Sequence, residues 1–369
     1  MPLTRDNYAR LHNLLLQCTI MEKASLRKGL CMKFCIVGAG AIGGFVGAKL
    51  AAAGEDVTFI ARWKNLDAIR ARGMTVKYQD GTVLEARDVK ATDSVAAVGH
   101  VDCVILALKA HQVEAVVHQL EPLFGPKTTV ITMQNGIPFW YFVNHGGALA
   151  GSRVESVDPR GVCLDGIPHD RIIGCVVYPA TELVAPGVVH HIEGERFPLG
   201  ELDGSASNRV KDLSDVFAKA GLKAPVLDNV RNEIWLKLWG NLTFNPISAL
   251  THSTLVDICT NTHGRALATS MMQEAEAVAQ ALGASFRVSL EKRIEGAAKV
   301  GKHKTSMLQD VEAGRELEVD ALVGAVVELG ECANVPTPTI RAVYQATKLL
   351  GATMKQENLA VRSLQIPAV

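Results

Sequence analysis

Short apolar runs and longer amphipathic stretches alternate along the first part of the chain. The runs at 33–37, 57–61, 102–108 and 128–133 have strand length and little internal polarity, the pattern of strands covered on both faces. Between them, 42–53 has helical character and ends at Gly54, a natural cap, and 112–120 forms a second helix. Alternating strands and helices predict a parallel sheet with helices on both faces. An excursion over 74–84, turning at Asp80-Gly81, predicts a hairpin. Runs at 172–178, 187–192 and 197–200 predict strands that end or extend the same sheet.

From about residue 207 the periodicity turns helical, with segments at 210–220, 229–244, 265–282, 318–332 and 339–355. The expected organisation is α/β: an N-terminal sheet domain over 32–206, an all-helical C-terminal domain over 207–356, and a loose tail over 357–369. Residues 1–31 lack this patterning and read as a disordered leader. They do not carry, in order, the basic, apolar and small-residue segments of a secretory signal. Asp6 and Glu22 argue against an organelle-targeting peptide, and Met32 is a candidate alternative start.

Composition narrows the function classes. With 369 residues, 48% hydrophobic and 21% charged, the chain is an ordinary globular protein of about two domains. Lys+Arg 38 against Asp+Glu 38 leaves no net field to draw it onto nucleic acid or an anionic membrane, so any phosphate must be held locally. No apolar run approaches the ~20 residues of a membrane helix. Eight cysteines without a Cys-x-x-Cys pair read as reduced, buried thiols of a cytoplasmic protein. The His190–His191 pair has no third ligand type nearby, so no metal is expected.

The loop after the first strand reads Gly38-Ala39-Gly40-Ala41-Ile42-Gly43, a G-x-G-x-x-G. Alone the motif is weak; between a strand and a helix it has a mechanism. The first glycine makes the tight turn, and the second lets backbone N–H groups approach a pyrophosphate. The third packs helix on strand, and the helix N-terminus adds partial positive charge. This makes the domain Rossmann-type. At the end of the second strand, where an NAD site would place a carboxylate, stands Arg62, with Lys64 behind it. A guanidinium binds a 2′-phosphate that a carboxylate repels, so the expected cofactor is NADP(H); a solvated surface arginine is the plain alternative.

Further polar residues stand where apolar ones would be cheaper. Asn135 follows the strand at 128–133, at the edge where open α/β sheets bind ligands, although Asn-Gly also makes turns. Lys109 follows the strand at 102–108 at the same edge. Lys237, Asn241 and Asn245 share one stripe of a helix otherwise filled by Trp235, Leu238, Trp239, Leu242 and Phe244. Such a stripe faces a wet cleft or solvent, and a lysine in a partly desolvated cleft can donate a proton. Ser306 can bind an anion, while Glu318 serves equally as a helix-entry carboxylate or a catalytic one.

Together GAGAIGG from Gly38, LALKAHQV from Leu106, MQNG from Met133, EIWLKLWGNLTFNP from Glu233, and SMLQD with ELEVDALVG from Ser306 onward resemble the ketopantoate reductase (2-dehydropantoate 2-reductase) family over roughly 32–355. The resemblance implies a Rossmann domain and a helical domain with the active site between them. By it, Lys237 is the catalytic lysine and Glu318 the catalytic-site glutamate. Asn135 lies between cofactor and substrate, Asn241 and Asn245 are on the substrate side, and Ser306 holds the substrate carboxylate. Arg62 selects NADPH and Lys109 lies near the cofactor. The implied activity is NADPH-dependent reduction of 2-dehydropantoate to pantoate by a possible homodimer.

The segment between Gly136 and Arg171 looks longer than the family requires and is expected to be either a lid that narrows the pocket or a surface excursion. A lid would point to a different 2-oxo acid as substrate. Two rival readings remain. One is a dehydrogenase of 3-hydroxy acids or polyol phosphates, the other a non-catalytic NADP(H)-sensing protein.

Overall fold

The computed structural model describes residues 31–363. The leader over 1–30 and positions 364–369 of the tail lie outside the described residues. In chain order the strands are β1 (Lys33–Val37), β2 (Asp56–Ile60), β3 (Met74–Tyr78), β4 (Val83–Ala86), β5 (Lys90–Thr92), β6 (Val101–Leu106), β7 (Phe124–Thr132), β8 (Ile172–Cys175), β9 (Ala180–Ala185), β10 (Val188–Glu193) and β11 (Leu199–Glu201).

Seven of them form one sheet in the order β11-β8-β7-β6-β1-β2-β5, parallel except where β11 joins β8. Phe34, Cys35 and Ile36 of β1 are fully buried, which is why this run tolerates no polar side chain. The chain leaves β1 for β2 on one side and later adds β6 on the other. The carboxyl ends of β1 and β6 therefore flank the crevice at the switch point.

The strand expected at 187–192 does not extend this sheet. As β10 it pairs parallel with β3 and antiparallel with β9, in a separate four-stranded sheet of order β4-β3-β10-β9. In β10, Val189 and His191 are buried and their neighbours are not, a period of two that suits a sheet with one wet face. The edge strand β9 is largely exposed and carried no apolar signal. Helix Ala41–Ala52 runs between the two sheets. A Cβ at Gly47 would stand 2.4 Å from the Phe59 ring, so the helix sits closer to the sheet than a side chain would allow.

The 137–170 segment is neither lid nor surface excursion. Trp140, Tyr141, Phe142, Val154 and Ile167 are buried against one face of the sheet and the helices beyond it. Trp140 Nε1 donates to Thr132 Oγ1 at 2.9 Å, and Tyr141 Oη accepts from Trp235 Nε1 at 2.7 Å. It fills the space of a crossover helix between β7 and β8 and locks the sheet to the helical part.

Helix Asn208–Lys219 buries Val210, Leu213 and Phe217 in the same core as Phe34 and Phe197. It thus packs with the sheet domain, and we place the divide at 220–229 rather than at 206. Helix Val230–Thr251, capped by the Asn229 side chain, continues past the expected end at 244 and through Pro246. Burial of Phe244, Asn245, Ile247 and Ala249 outweighs the hydrogen bond the proline cannot make. The remaining helices pack around it. The helix expected from 318 begins instead as a π-helical turn, Asp320–Gly324, that leads into helix Ala325–Cys332. Among the described residues, no helix is long and apolar enough to cross a membrane.

Candidate active site

The glycine loop occupies the carboxyl end of β1. Gly38 has φ +106°, and a Cβ there would meet the Ala107 carbonyl oxygen at 2.9 Å. A Cβ on Gly43 would stand 2.0 Å from the Gly38 carbonyl oxygen. Gly40 differs, since nothing lies within 4 Å of its Cβ position. The outer glycines answer to the protein's own packing, whereas Gly40 borders open space at the N-terminus of helix Ala41–Ala52. A pyrophosphate fits that cradle. Ala39 is buried, and Ala41 and Ile42 begin the helix.

Arg62 follows β2 at the same edge, exposed and without an ion pair among the described residues. The next residue, Trp63, is 82% exposed and holds φ 50°, a conformation uncommon for a bulky side chain. Asn65 ties this corner together by donating to the Ala39 carbonyl at 2.7 Å and accepting from Gly187 N–H at 2.8 Å.

The second half of the site gathers around Lys237. Its Nζ donates to Asn135 Oδ1 and to the Val177 carbonyl oxygen. Burial draws its pKa down to about 8, with Glu318 opposing that shift and Arg293 adding to it. Glu318 is itself pushed upward by burial, against the pull of the Ala110 N–H that donates to its Oε1 at 3.1 Å. Burial thus shifts each of these two ionisable groups toward its neutral form.

Asn135 is held by its neighbours in sequence. Gln134 Nε2 donates to the carbonyls of Leu106 and Leu108 at 2.8 and 3.2 Å, while its buried Oε1 has no partner. That orphaned acceptor lines the crevice with Asn135, Lys237 and Asn241, where a carboxamide N–H would satisfy it. Gly136, at φ +89°, lets the loop touch the π-helical turn, and Ile137 N–H donates to the Ala321 carbonyl at 2.9 Å. Asn245 lies deeper on the lysine helix and donates to Ser306 Oγ at 3.5 Å. Ser306 opens helix Ser306–Ala313, capped by Thr305. Lys109 reaches across to the helical domain, donating to Asp310 Oδ2 at 2.8 Å and to the Glu316 carbonyl at 2.9 Å.

The residues expected from the sequence therefore fall along one edge of the sheet and the helices facing it. Val177, Gln134, Asn65 and Asp310 escaped notice as separate participants. Val177 acts through its backbone, which no side-chain pattern reports. Asn65 and Asp310 lie on helices whose exposed polar residues look alike in sequence. A larger depression of about 330 Å³ opens at the opposite edge, lined by Lys33, Asp56, Lys90 and His100 among others. Its Lys90 is paired with Asp56, and it lies at the amino ends of the strands, away from the glycine loop.

Two family models match the chain: "Ketopantoate reductase PanE/ApbA" over residues 34–204 and "Ketopantoate reductase PanE/ApbA C terminal" over 229–351. A 2-dehydropantoate 2-reductase of Mesorhizobium japonicum is 52% identical over 320 residues, 86% of this chain and 98% of that protein. The crystal structure of a provisionally named ketopantoate reductase from Ralstonia solanacearum superposes with TM-score 0.84 at 39% identity, covering 88% of this chain and 99% of the other. For the 2-dehydropantoate 2-reductase of Geobacter metallireducens the TM-score is 0.75 at 27% identity, over 86% and 99% of the two chains. The chain belongs to the ketopantoate reductase family, NAD(P)-dependent oxidoreductases that act on a CH–OH group.

Proposed function

We propose that this protein reduces 2-dehydropantoate (ketopantoate) to pantoate with NADPH, using Lys237 as the proton donor. The observation that carries the proposal is the ammonium of Lys237, recessed between Asn135 and the Val177 carbonyl. An ammonium has three hydrogens. Two are engaged by these acceptors, which leaves the third for a ketone oxygen.

The open cradle at Gly40 would hold the pyrophosphate of NADPH and Arg62 its 2′-phosphate, and the bound cofactor would supply the hydride for C2 of the substrate. Lys237 polarises the ketone and passes its proton to the oxygen as negative charge develops there. A pKa near 8 leaves the lysine charged at neutral pH yet eases release of that proton. Asn135 fixes the ammonium's direction between cofactor and substrate. Asn241 and Asn245 line the substrate side, Ser306 donates to the substrate carboxylate, and Glu318 holds the lysine's charge in place. Lys109, already bridging to Asp310, closes the cleft beside the cofactor.

The 52% identity to the Mesorhizobium japonicum protein supports ketopantoate as the first substrate to test. A homodimer is tested by light scattering on the purified chain. Reduction is tested by NADPH oxidation at 340 nm with ketopantoate and a panel of 2-oxo acids, comparing wild type with Lys237→Ala. Turnover that collapses in the variant supports the proposal. Turnover on another 2-oxo acid alone would replace the substrate, and an active Lys237→Ala would remove the proton donor.

A further inference from the structure

Arg293 is a cation whose charge acts on Lys237 and which the reaction above leaves unused. Arg293 belongs to helix Leu290–Lys299. Its guanidinium fills the notch left by Gly240, where a Cβ would stand 2.4 Å from Nη2. Gly240 is three residues beyond Lys237 on the same helix, and the charge of Arg293 adds to the downward shift of the Lys237 ammonium.

Among the described residues this cation has no counter-ion. Its buried Nε has no hydrogen-bond partner, and no carboxylate offsets the burial that lowers its pKa. The nearby acids are already engaged. Glu233, one turn before Lys237, binds Arg196, Arg287 and Tyr178. Asp310 is paired with Lys109 and Arg315. Glu318 accepts from the Ala110 N–H at 3.1 Å. Arg293 as a residue is only half-buried, but its Nε is shut away from water with nothing to bond, a deficit that an anion entering beside the guanidinium would relieve.

We propose that Arg293 is the carboxylate receptor of this site, its guanidinium taking the carboxylate of the 2-oxo acid whose ketone lies on Lys237. The inference rests on the 2-oxo-acid reduction proposed above and adds the group that recognises the acid. Ser306 and Asn245 are neutral donors that can orient a carboxylate but not balance its charge. Lys237 is committed to the ketone and Lys109 to Asp310. Arg293 supplies the missing charge, in a fork that suits two carboxylate oxygens. Gly240 is then a specificity position, because any side chain there would unseat the guanidinium.

Binding and turnover separate the two claims. Oxamate, an unreactive isostere of a 2-oxo acid, is titrated by calorimetry into the NADPH-loaded wild type, Arg293→Met and Arg293→Lys. Oxamate affinity should fall by about 10²-fold in Arg293→Met and by less in Arg293→Lys, with NADPH affinity unchanged. In turnover, KM for the acid should rise and the preference for the acid over its methyl ester should disappear. Oxamate affinity equal to wild type in Arg293→Met, or no oxamate binding by wild type, overturns the proposal. Equal losses on acid and ester also overturn it, since they would mark a structural role.

If Arg293→Met does not fold, Gly240→Ala displaces the guanidinium without removing its charge and should weaken oxamate to a similar degree. Undiminished oxamate binding in both Gly240→Ala and Arg293→Lys would then refute the assignment. Oxamate bound through Arg293 without reduction of any 2-oxo acid would leave the carboxylate receptor standing and remove the reduction.

Discussion

At the glycine-loop end of the cleft the functional atoms are backbone atoms, and the residues that place them, Gly38 to Gly43, are consecutive. At the lysine end they are side chains and one carbonyl, brought together from the loop after β7, the segment after β8, the lysine helix and the π-helical turn. The first end is held by steric exclusion. The second is held against an electrostatic cost, with Lys237 and Glu318 both displaced from their ordinary pKa values by burial. Damage should therefore travel differently: into the fold from one end, into chemistry alone from the other.

The sharpest break of this comparison is Lys237→Met. Loss of the proton donor should lower kcat by about 10³-fold, while removal of a buried charge leaves melting temperature unchanged or higher. NADPH binding, followed by cofactor fluorescence, should survive. A large loss of stability would mean that the lysine holds the domains together.

Next in size is a pair of glycine variants. Gly43→Ala places a Cβ 2.0 Å from the Gly38 carbonyl oxygen and should cost about 3 kcal/mol in denaturant unfolding, with cofactor binding lost as well. Gly40→Ala meets nothing within 4 Å, so it should unfold like wild type and lose affinity for NADPH only. Matching stability losses in the two variants would contradict the division of labour inside the loop.

Arg62→Glu should shift preference from NADPH toward NADH by about 30-fold in kcat/KM, through loss of a charge-assisted contact to the 2′-phosphate. An unchanged cofactor ratio would make Arg62 a solvated surface residue.

The smallest effects are read against pH. The donor must carry its proton, so reduction should decline as pH rises through about 8, the value to which burial lowers Lys237. For Glu233 burial acts upward, but Arg287, Tyr178 and Arg196 hold the carboxyl down from 4.5 to about 2. A depressed carboxyl contributes stability above its unfolded value and loses it as pH falls. The stability gap between wild type and Glu233→Gln should thus be full at neutral pH and close between about 4.5 and about 2.

The glycine loop was legible because its requirements are local: a turn, an approach and a packing contact at fixed spacings. The stripe of Lys237, Asn241 and Asn245 was legible for a related reason, since helical periodicity turns sequence spacing into a shared face. The destination of β10 was not, because an alternating strand states that one face is buried without saying against which partner. The 137–170 segment misled more fully. Its aromatic residues imply burial, but their position after a site loop suggested a lid, and only the space between β7 and β8 showed them to be core. The end of the lysine helix failed similarly, because packing around Asn245 outweighed the local signal of Pro246.

The sequence by itself determined the parallel sheet, the glycine loop, the polar face of the lysine helix and the family to which these belong. Each follows from forces acting over a few residues or from a periodicity that fixes direction. The tertiary structure alone decided which acceptors hold the Lys237 ammonium, that Glu318 is buried within reach of the Ala110 N–H, and that Arg293 fills the place of a missing Gly240 side chain with no counter-ion among the described residues. Those facts depend on desolvation and charge neutralisation across distant segments, and burial at a contact exists only once the segments have met.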